Sequence, residues 1–202
     1  MRLLIGTNNP GKLREYGEMF ASDAALHGVT IVRLDEIGLG NFDVDEPYDT
    51  FEDNARHKAR AFAARSGVRA IADDSGLIVD ALGGRPGVYS KRYAPGSDAD
   101  RIDKLLRELA DVPAERRTAR FVCVTVGAAP DGSIIEARGE VEGTIAFAPG
   151  AISNGFGYDP IFVPTGYDVV FSAIAPEQKN RLSHRGLALA ALLPSLRGWV
   201  RG

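Results

Sequence analysis

Two adjacent carboxylates, Asp73 and Asp74, stand where the apolar run 68–72 stops, and Ser75 and Gly76 follow before hydrophobicity resumes at Leu77-Ile78-Val79. Carboxylates hold hard cations and accept protons, so this is the stretch of the chain best suited to metal-assisted hydrolysis. Neighbouring side chains on a strand point to opposite faces, so the two acids cannot share one task. The pattern predicts a buried strand whose end projects the acids, closed by a tight turn. Asp, Ser and Gly also make up an ordinary solvated turn, and the stretch alone does not separate the two readings. A second chemical signature lies near the start. Gly6 and Gly11-Lys12 have the spacing of a P-loop, but Leu13 stands where that loop needs a Ser or Thr for magnesium. A phosphate-binding turn remains plausible on this pattern, provided that the metal is held elsewhere.

The acids that could complete a metal shell are concentrated in the irregular stretch 35–50, which carries Asp43, Asp45, Glu46 and Asp49. Local spacing does not choose among them. Asn54 and Lys58 lie four apart in a helical pattern and so share a face, where they could grip phosphate or simply meet solvent. Gly155 and Gly157 bracket Phe156 and are followed by Tyr158 and Asp159, a backbone that can approach a flat ligand while an aromatic ring stacks on it. The same residues could equally anchor a loop in the core. Lys179, Ser183, His184 and Arg185 fall late in the chain as a cationic group or a helix-surface cluster. Cys123, the only cysteine, sits in the apolar run 121–124 and reads as a core thiol.

These groups need a scaffold, and its elements follow from the hydrophobic pattern. A strand over Arg2–Ile5 leads through Thr7, Asn8, Asn9, Pro10, Gly11 and Lys12 into a helix with Leu13, Tyr16, Met19 and Phe20, the arrangement in which a helix N-terminus meets phosphate. A short strand is expected over 30–34. Thr50 caps a helix that Gly67 ends. Glycine and proline over 83–90 demand a loop, and a helix follows over 98–109. Strands over 118–128 and 133–147 form a hairpin turned by Pro130-Asp131-Gly132. A brief strand over 161–163 precedes a helix over 176–193 that stops before Pro194. The chain of 202 residues has 45% hydrophobic and 25% charged residues and a net charge of −3. This suits one domain, 1–202, with two intimate lobes, and argues against a nucleic-acid backbone binder. Neither a membrane span nor a secretory signal is expected, which points to a cytoplasmic protein.

Taken together, the motifs resemble those of the inosine/xanthosine triphosphate pyrophosphatases. The resemblance rests on Thr7-Asn8-Asn9-Pro10-Gly11-Lys12, on Thr50-Phe51-Glu52-Asp53-Asn54-Ala55 with Lys58, and on Ala72-Asp73-Asp74-Ser75-Gly76-Leu77. It continues through Gly84-Arg85-Pro86-Gly87-Val88-Tyr89-Ser90, Gly155-Phe156-Gly157-Tyr158-Asp159-Pro160 and Lys179-Asn180-Arg181-Leu182-Ser183-His184-Arg185, so it spans nearly the whole chain. Asp53 and Arg181 depart modestly from the family pattern without removing a catalytic group.

The resemblance implies an elongated α/β fold with a long mixed sheet flanked by helices, two lobes and a central nucleotide-binding cleft. It also implies a homodimer and Mg²⁺-dependent hydrolysis of ITP, dITP or XTP between the α and β phosphates. In that scheme Asp74 is the proton acceptor and a metal ligand, Glu46 is the second metal ligand, and Asp73 supports them. Thr7, Asn8, Asn9, Pro10, Gly11, Lys12 and Lys58 bind the triphosphate. Ser75, Phe156, Gly157, Tyr158, Asp159, Lys179, His184 and Arg185 are the other substrate contacts. Arg185, with His184, could donate to the C6 carbonyl of hypoxanthine or xanthine, which would disfavour the amino group of adenine by about 1–3 kcal/mol per unpaired group. A catalytically silent nucleotide sensor on the same scaffold is the alternative, and a P-loop phosphotransferase is disfavoured by Leu13.

Overall fold

The computed structural model describes residues 1–26, 28–151 and 154–200. Its six strands hydrogen-bond in the order β2-β1-β3-β4-β5-β6. Strand β1 (Arg2–Ile5) lies parallel to both β2 (Thr30–Val32) and β3 (Arg69–Val79), with Ile5 opposite Ile71. Parallel neighbours need long crossovers, and these are helical here: α1 (Pro10–Ser22) joins β1 to β2, and α2 (Phe51–Ser66) joins β2 to β3. Strands β4 (Thr118–Ala128) and β5 (Ile134–Ile145) are adjacent and joined by a turn in which Ala129 N donates to Ser133 O at 3.0 Å, so they form the expected hairpin. Strand β6 (Phe162–Pro164) runs antiparallel to β5. The fold is therefore a mixed α/β sheet with flanking helices, as expected.

The chain divides into two compact units. The first holds Met1–Asp74, Cys123–Gly139 and the chain from Arg185 onward. Its core joins Leu3, Ile5 and Ile71 of the sheet to Tyr16 and Phe20 of α1 and to Leu189, Leu192 and Leu196 of the last helix. The second holds Ser75–Val122 and Glu140–His184. There α3 (Asp98–Glu108), capped by the reciprocal bonds of Ser97 and Asp100, buries Ile102 and Leu105 against an aromatic group. In that group Phe121 lies 4.7 Å from Phe162, and Phe162 lies 5.1 Å from Phe171.

Two expectations are corrected. The acids do not end a strand: β3 runs unbroken through Asp73-Asp74-Ser75-Gly76 to Val79. Turn-forming side chains are overridden because apolar residues flank them on both sides and the strand has a partner on each edge. The turn comes later, at Asp80–Leu82, where Gly83 adopts a φ of +65°. The late helix is also not one element. Helix α4 (Pro176–Leu182) stops at Ser183, whose ψ of 155° is extended, and α5 (His184–Trp199) then runs through Pro194. A proline inside a helix costs about 3 kcal/mol. Burial of Leu189, Leu192 and Leu196 offsets that, each contributing about 1.5–3 kcal/mol. Among the described residues no helix is long and apolar enough to cross a membrane.

Candidate active site

Strand alternation sends the two acids to different helices. Asp74 Oδ1 accepts from Lys58 Nζ at 2.9 Å, and its Oδ2 accepts from Asn54 Nδ2 at 3.3 Å. Both donors come from α2, whose spacing of four had placed them on one face. The helix is held in place at both ends: Thr50 Oγ1 accepts from Asp53 N at 3.1 Å, and Gly67 closes it in the left-handed region. Lys58 Nζ reaches Glu46 Oε1 at 2.6 Å as well, so one ammonium gathers the two acids assigned to the metal. Asn54 orders the approach of Glu46: its side-chain amide exchanges two 3.0 Å hydrogen bonds with the backbone of Tyr48. Burial raises the Asp74 carboxyl above its usual range; Lys58 opposes this, and the negative charge of Glu46 adds to it. Burial alone would lower the Lys58 ammonium, yet Asp74 and Glu46 hold it above its ordinary value.

Asp73 faces the other way, toward α1 and α5. Its Oδ2 meets Lys12 Nζ at 2.8 Å and Arg185 at 3.1 Å, with Cys123 Sγ at 3.6 Å. Arg185 also binds Glu15 Oε2 at 2.5 Å. Lys12, Asp73, Arg185 and Glu15 thus alternate in sign, and Lys12 and Glu15 are one helical turn apart on α1. Burial pushes the Asp73 carboxyl up, but Lys12, Arg185 and Lys58 together outweigh this and hold it below the usual carboxylate range, so it stays an anion. The adjacent acids therefore differ in kind, one a locked anion and one displaced toward the range of a useful base.

The loop 7–12 is organised by Asn9, which caps α1: its Oδ1 accepts from Gly11 N at 2.8 Å and Lys12 N at 3.3 Å. Asn9 N in turn donates to Thr7 Oγ1 at 3.2 Å, and Asn8 Nδ2 reaches Phe42 O at 3.5 Å. Pro10 has no N–H to give. The amides of Asn9, Gly11 and Lys12 are thus engaged within the loop itself, and the Lys12 ammonium and the helix dipole are the positive features that it offers an anion. Gly6 has a separate task, because a Cβ there would lie 2.4 Å from the Phe62 ring.

In the second unit, Gly155 and Gly157 take φ values of +90° and +62° and present Phe156 between them. Asp159 Oδ2 accepts from Phe156 N and from Lys179 Nζ, both at 2.8 Å. The Lys179 ammonium lies 5.4 Å from the Phe156 ring. Tyr158 is buried, and its hydroxyl donates to Ser90 O at 3.0 Å, so of the two aromatic rings it is the core anchor, while Phe156 is only half-buried. His184 stacks on Phe121 at 4.7 Å with an interplanar angle of 11°. Ser75 follows Asp74 on β3 and is half-buried.

The late cationic group is not a helix-surface cluster, since Lys179, Ser183, His184 and Arg185 are all buried. Sequence reasoning missed Glu15 and Asp98, which accepts from Gly157 N at 2.7 Å. The one-turn spacing of Glu15 from Lys12 was a usable signal; nothing local marks Asp98. Among the described residues no group of three or more His, Cys, Asp or Glu forms a ready metal cage. Glu46 and Asp74 nevertheless converge as an all-oxygen pair, which suits a hard divalent cation that takes its remaining ligands from substrate phosphates and water.

The sequence profile of the Ham1 family matches residues 3–195. A dITP/XTP pyrophosphatase of Symbiobacterium thermophilum is 49% identical, over 96% of this chain and 94% of that protein. One from Mycobacteroides abscessus is 44% identical over 99% and 97%. The structure of the Staphylococcus aureus Ham1 protein superposes with a TM-score of 0.84 at 38% identity, covering 98% of this chain and 99% of that one. A crystal structure titled as a nucleoside-triphosphatase, dITP/XTP pyrophosphatase, from Mycobacterium abscessus matches with a TM-score of 0.74 over 96% of this chain and 100% of its own.

Proposed function

The chain belongs to the Ham1 family, and from that membership we propose that it hydrolyses dITP, XTP and ITP between the α and β phosphates. Water adds to the phosphoanhydride, and nucleoside monophosphate and pyrophosphate leave, so deaminated purines are cleared from the cytoplasmic nucleotide pool. The observation that carries the reading is Asp74, a buried carboxyl held by Asn54 and tied to Glu46 through the Lys58 ammonium.

Asp74 takes the proton of the attacking water. General base catalysis of this kind is worth about 10²–10⁴-fold. Lys58 keeps Asp74 and Glu46 convergent in the free protein. Lys12, steered by Asp73, offers positive charge to the phosphates, and Thr7 to Gly11 shape the turn around them. Glu46 and Asp74 would hold Mg²⁺, which when bound would supply Lewis-acid stabilisation of charge on the phosphate oxygens. Phe156 forms the stacking face for the purine, Lys179 and Asp159 fix that loop, and Ser75, Gly157 and Tyr158 complete it. His184 is the donor for a C6 carbonyl. Arg185 acts through Asp73, to which its ion pair ties it and which in turn holds Lys12, rather than by reading the base edge. A homodimer follows from the family resemblance, and light scattering tests it.

Purified chain incubated with dITP, XTP, GTP and ATP, with Mg²⁺ and with chelator, tests the reading. Monophosphate and pyrophosphate from dITP and XTP, lost on chelation, are expected. Orthophosphate with diphosphate, or tight binding without turnover, overturns it.

A further inference from the structure

The tip Gly155-Phe156-Gly157 has two residues in the left-handed region, where glycine moves easily among conformations. A ring carried there needs outside restraint if it is to meet a flat ligand at one angle. Two carboxylates supply it, one to each amide that borders Phe156. Asp159 Oδ2 accepts from Phe156 N at 2.8 Å; it belongs to the same loop and is paired with Lys179. The second restraint comes from far along the chain. Asp98 Oδ2, on the first turn of α3, accepts from Gly157 N at 2.7 Å. Asp98 is itself braced, because its Oδ1 accepts from Arg101, whose second amino group donates to Gly96 O at 3.0 Å. Without Asp98, Asp159 still fixes the peptide before Phe156, but the peptide after it regains the freedom of Gly157.

We propose that Asp98 is a positioning residue for recognition of the purine base: it touches no substrate, and through the Gly157 amide it sets the angle at which Phe156 meets the ring. This rests on the reading of Phe156 as the stacking face. It sets Asp98 apart from Lys12, Lys58 and Asp74, which serve the phosphates, and the two products of the proposed reaction therefore separate the roles. Inosine monophosphate carries the base, and pyrophosphate does not.

The test is calorimetric titration of each product, with Mg²⁺, into wild type, Asp98→Ala and Asp98→Asn. For Asp98→Ala the Kd of inosine monophosphate is expected to rise about fivefold, the worth of one partly exposed charge-assisted hydrogen bond. The Kd of pyrophosphate is expected to stay within about twofold, and asparagine, which keeps an acceptor oxygen, to restore most of the loss. Asp98→Ser, too short to reach the amide, replaces alanine if that chain does not fold. Unchanged inosine monophosphate affinity, a parallel loss for pyrophosphate, or an asparagine variant no better than alanine overturns the proposal. Wild type that binds inosine monophosphate in this pattern but hydrolyses no triphosphate leaves Asp98 in its role and removes the enzymatic reading; wild type that binds neither product removes both.

Discussion

At the scale of single residues, burial and partners give chemically similar groups different work. Asp74→Asn keeps the acceptor for Lys58 but removes the base, so kcat for dITP should fall about 10³-fold with KM changed little. A kcat near wild type in steady-state assays would remove Asp74 from its role. Arg185 is buried against Asp73 and Glu15, and its truncation leaves buried charge without its counter-ion. Arg185→Ala should therefore lower stability by about 3–5 kcal/mol in urea titration, well before any change in base preference is read. Cys123 is buried, and burial together with the charge of Asp73 pushes its thiol up to about 12. A raised thiol pKa means protonated sulfur throughout the neutral range, so a disulfide reagent at about pH 8 should label Cys123 only after denaturant is added. Fast labelling of the native chain would contradict that burial.

At the scale of elements, legibility followed the range of the forces involved. Local chemistry marked β1, both caps of α2 and the β4–β5 turn, because Thr50, Gly67 and Pro130-Asp131-Gly132 act within a few residues. The spacing of Asn54 and Lys58 placed both on one helix face, and the structure delivers both to Asp74. Continuity of β3 through Asp-Asp-Ser-Gly was not legible, since it depends on strand neighbours that the local composition does not report. Neither was the fate of Arg185, whose partner Asp73 lies 112 residues away. Passage of α5 through Pro194 likewise reflects tertiary burial overriding propensity. Gly6, between β1 and the α1 loop, gives a direct test of packing at this scale. Gly6→Ala drives a Cβ to 2.4 Å from the Phe62 ring and should cost about 1–3 kcal/mol, read as a lower midpoint in thermal melts. An unchanged midpoint would show that Phe62 yields freely.

At the scale of the whole molecule, the chain passes between its two units inside β3, β4, β5 and at the start of α5 rather than through linkers. Unfolding one unit breaks elements that continue into the other, so calorimetry should record a single transition; two resolved transitions would mark independent domains. The same continuity bears on β3. Asp73 and Asp74 are chemically identical, and their alternation across the strand makes one a locked anion and the other the proposed base. The proposed catalytic carboxylate is thus specified by parity, not by identity. A one-residue deletion upstream in β3 would set Asp74 where Asp73 stands and Ser75 where Asp74 stands, so an otherwise tolerated indel there carries the force of an active-site mutation.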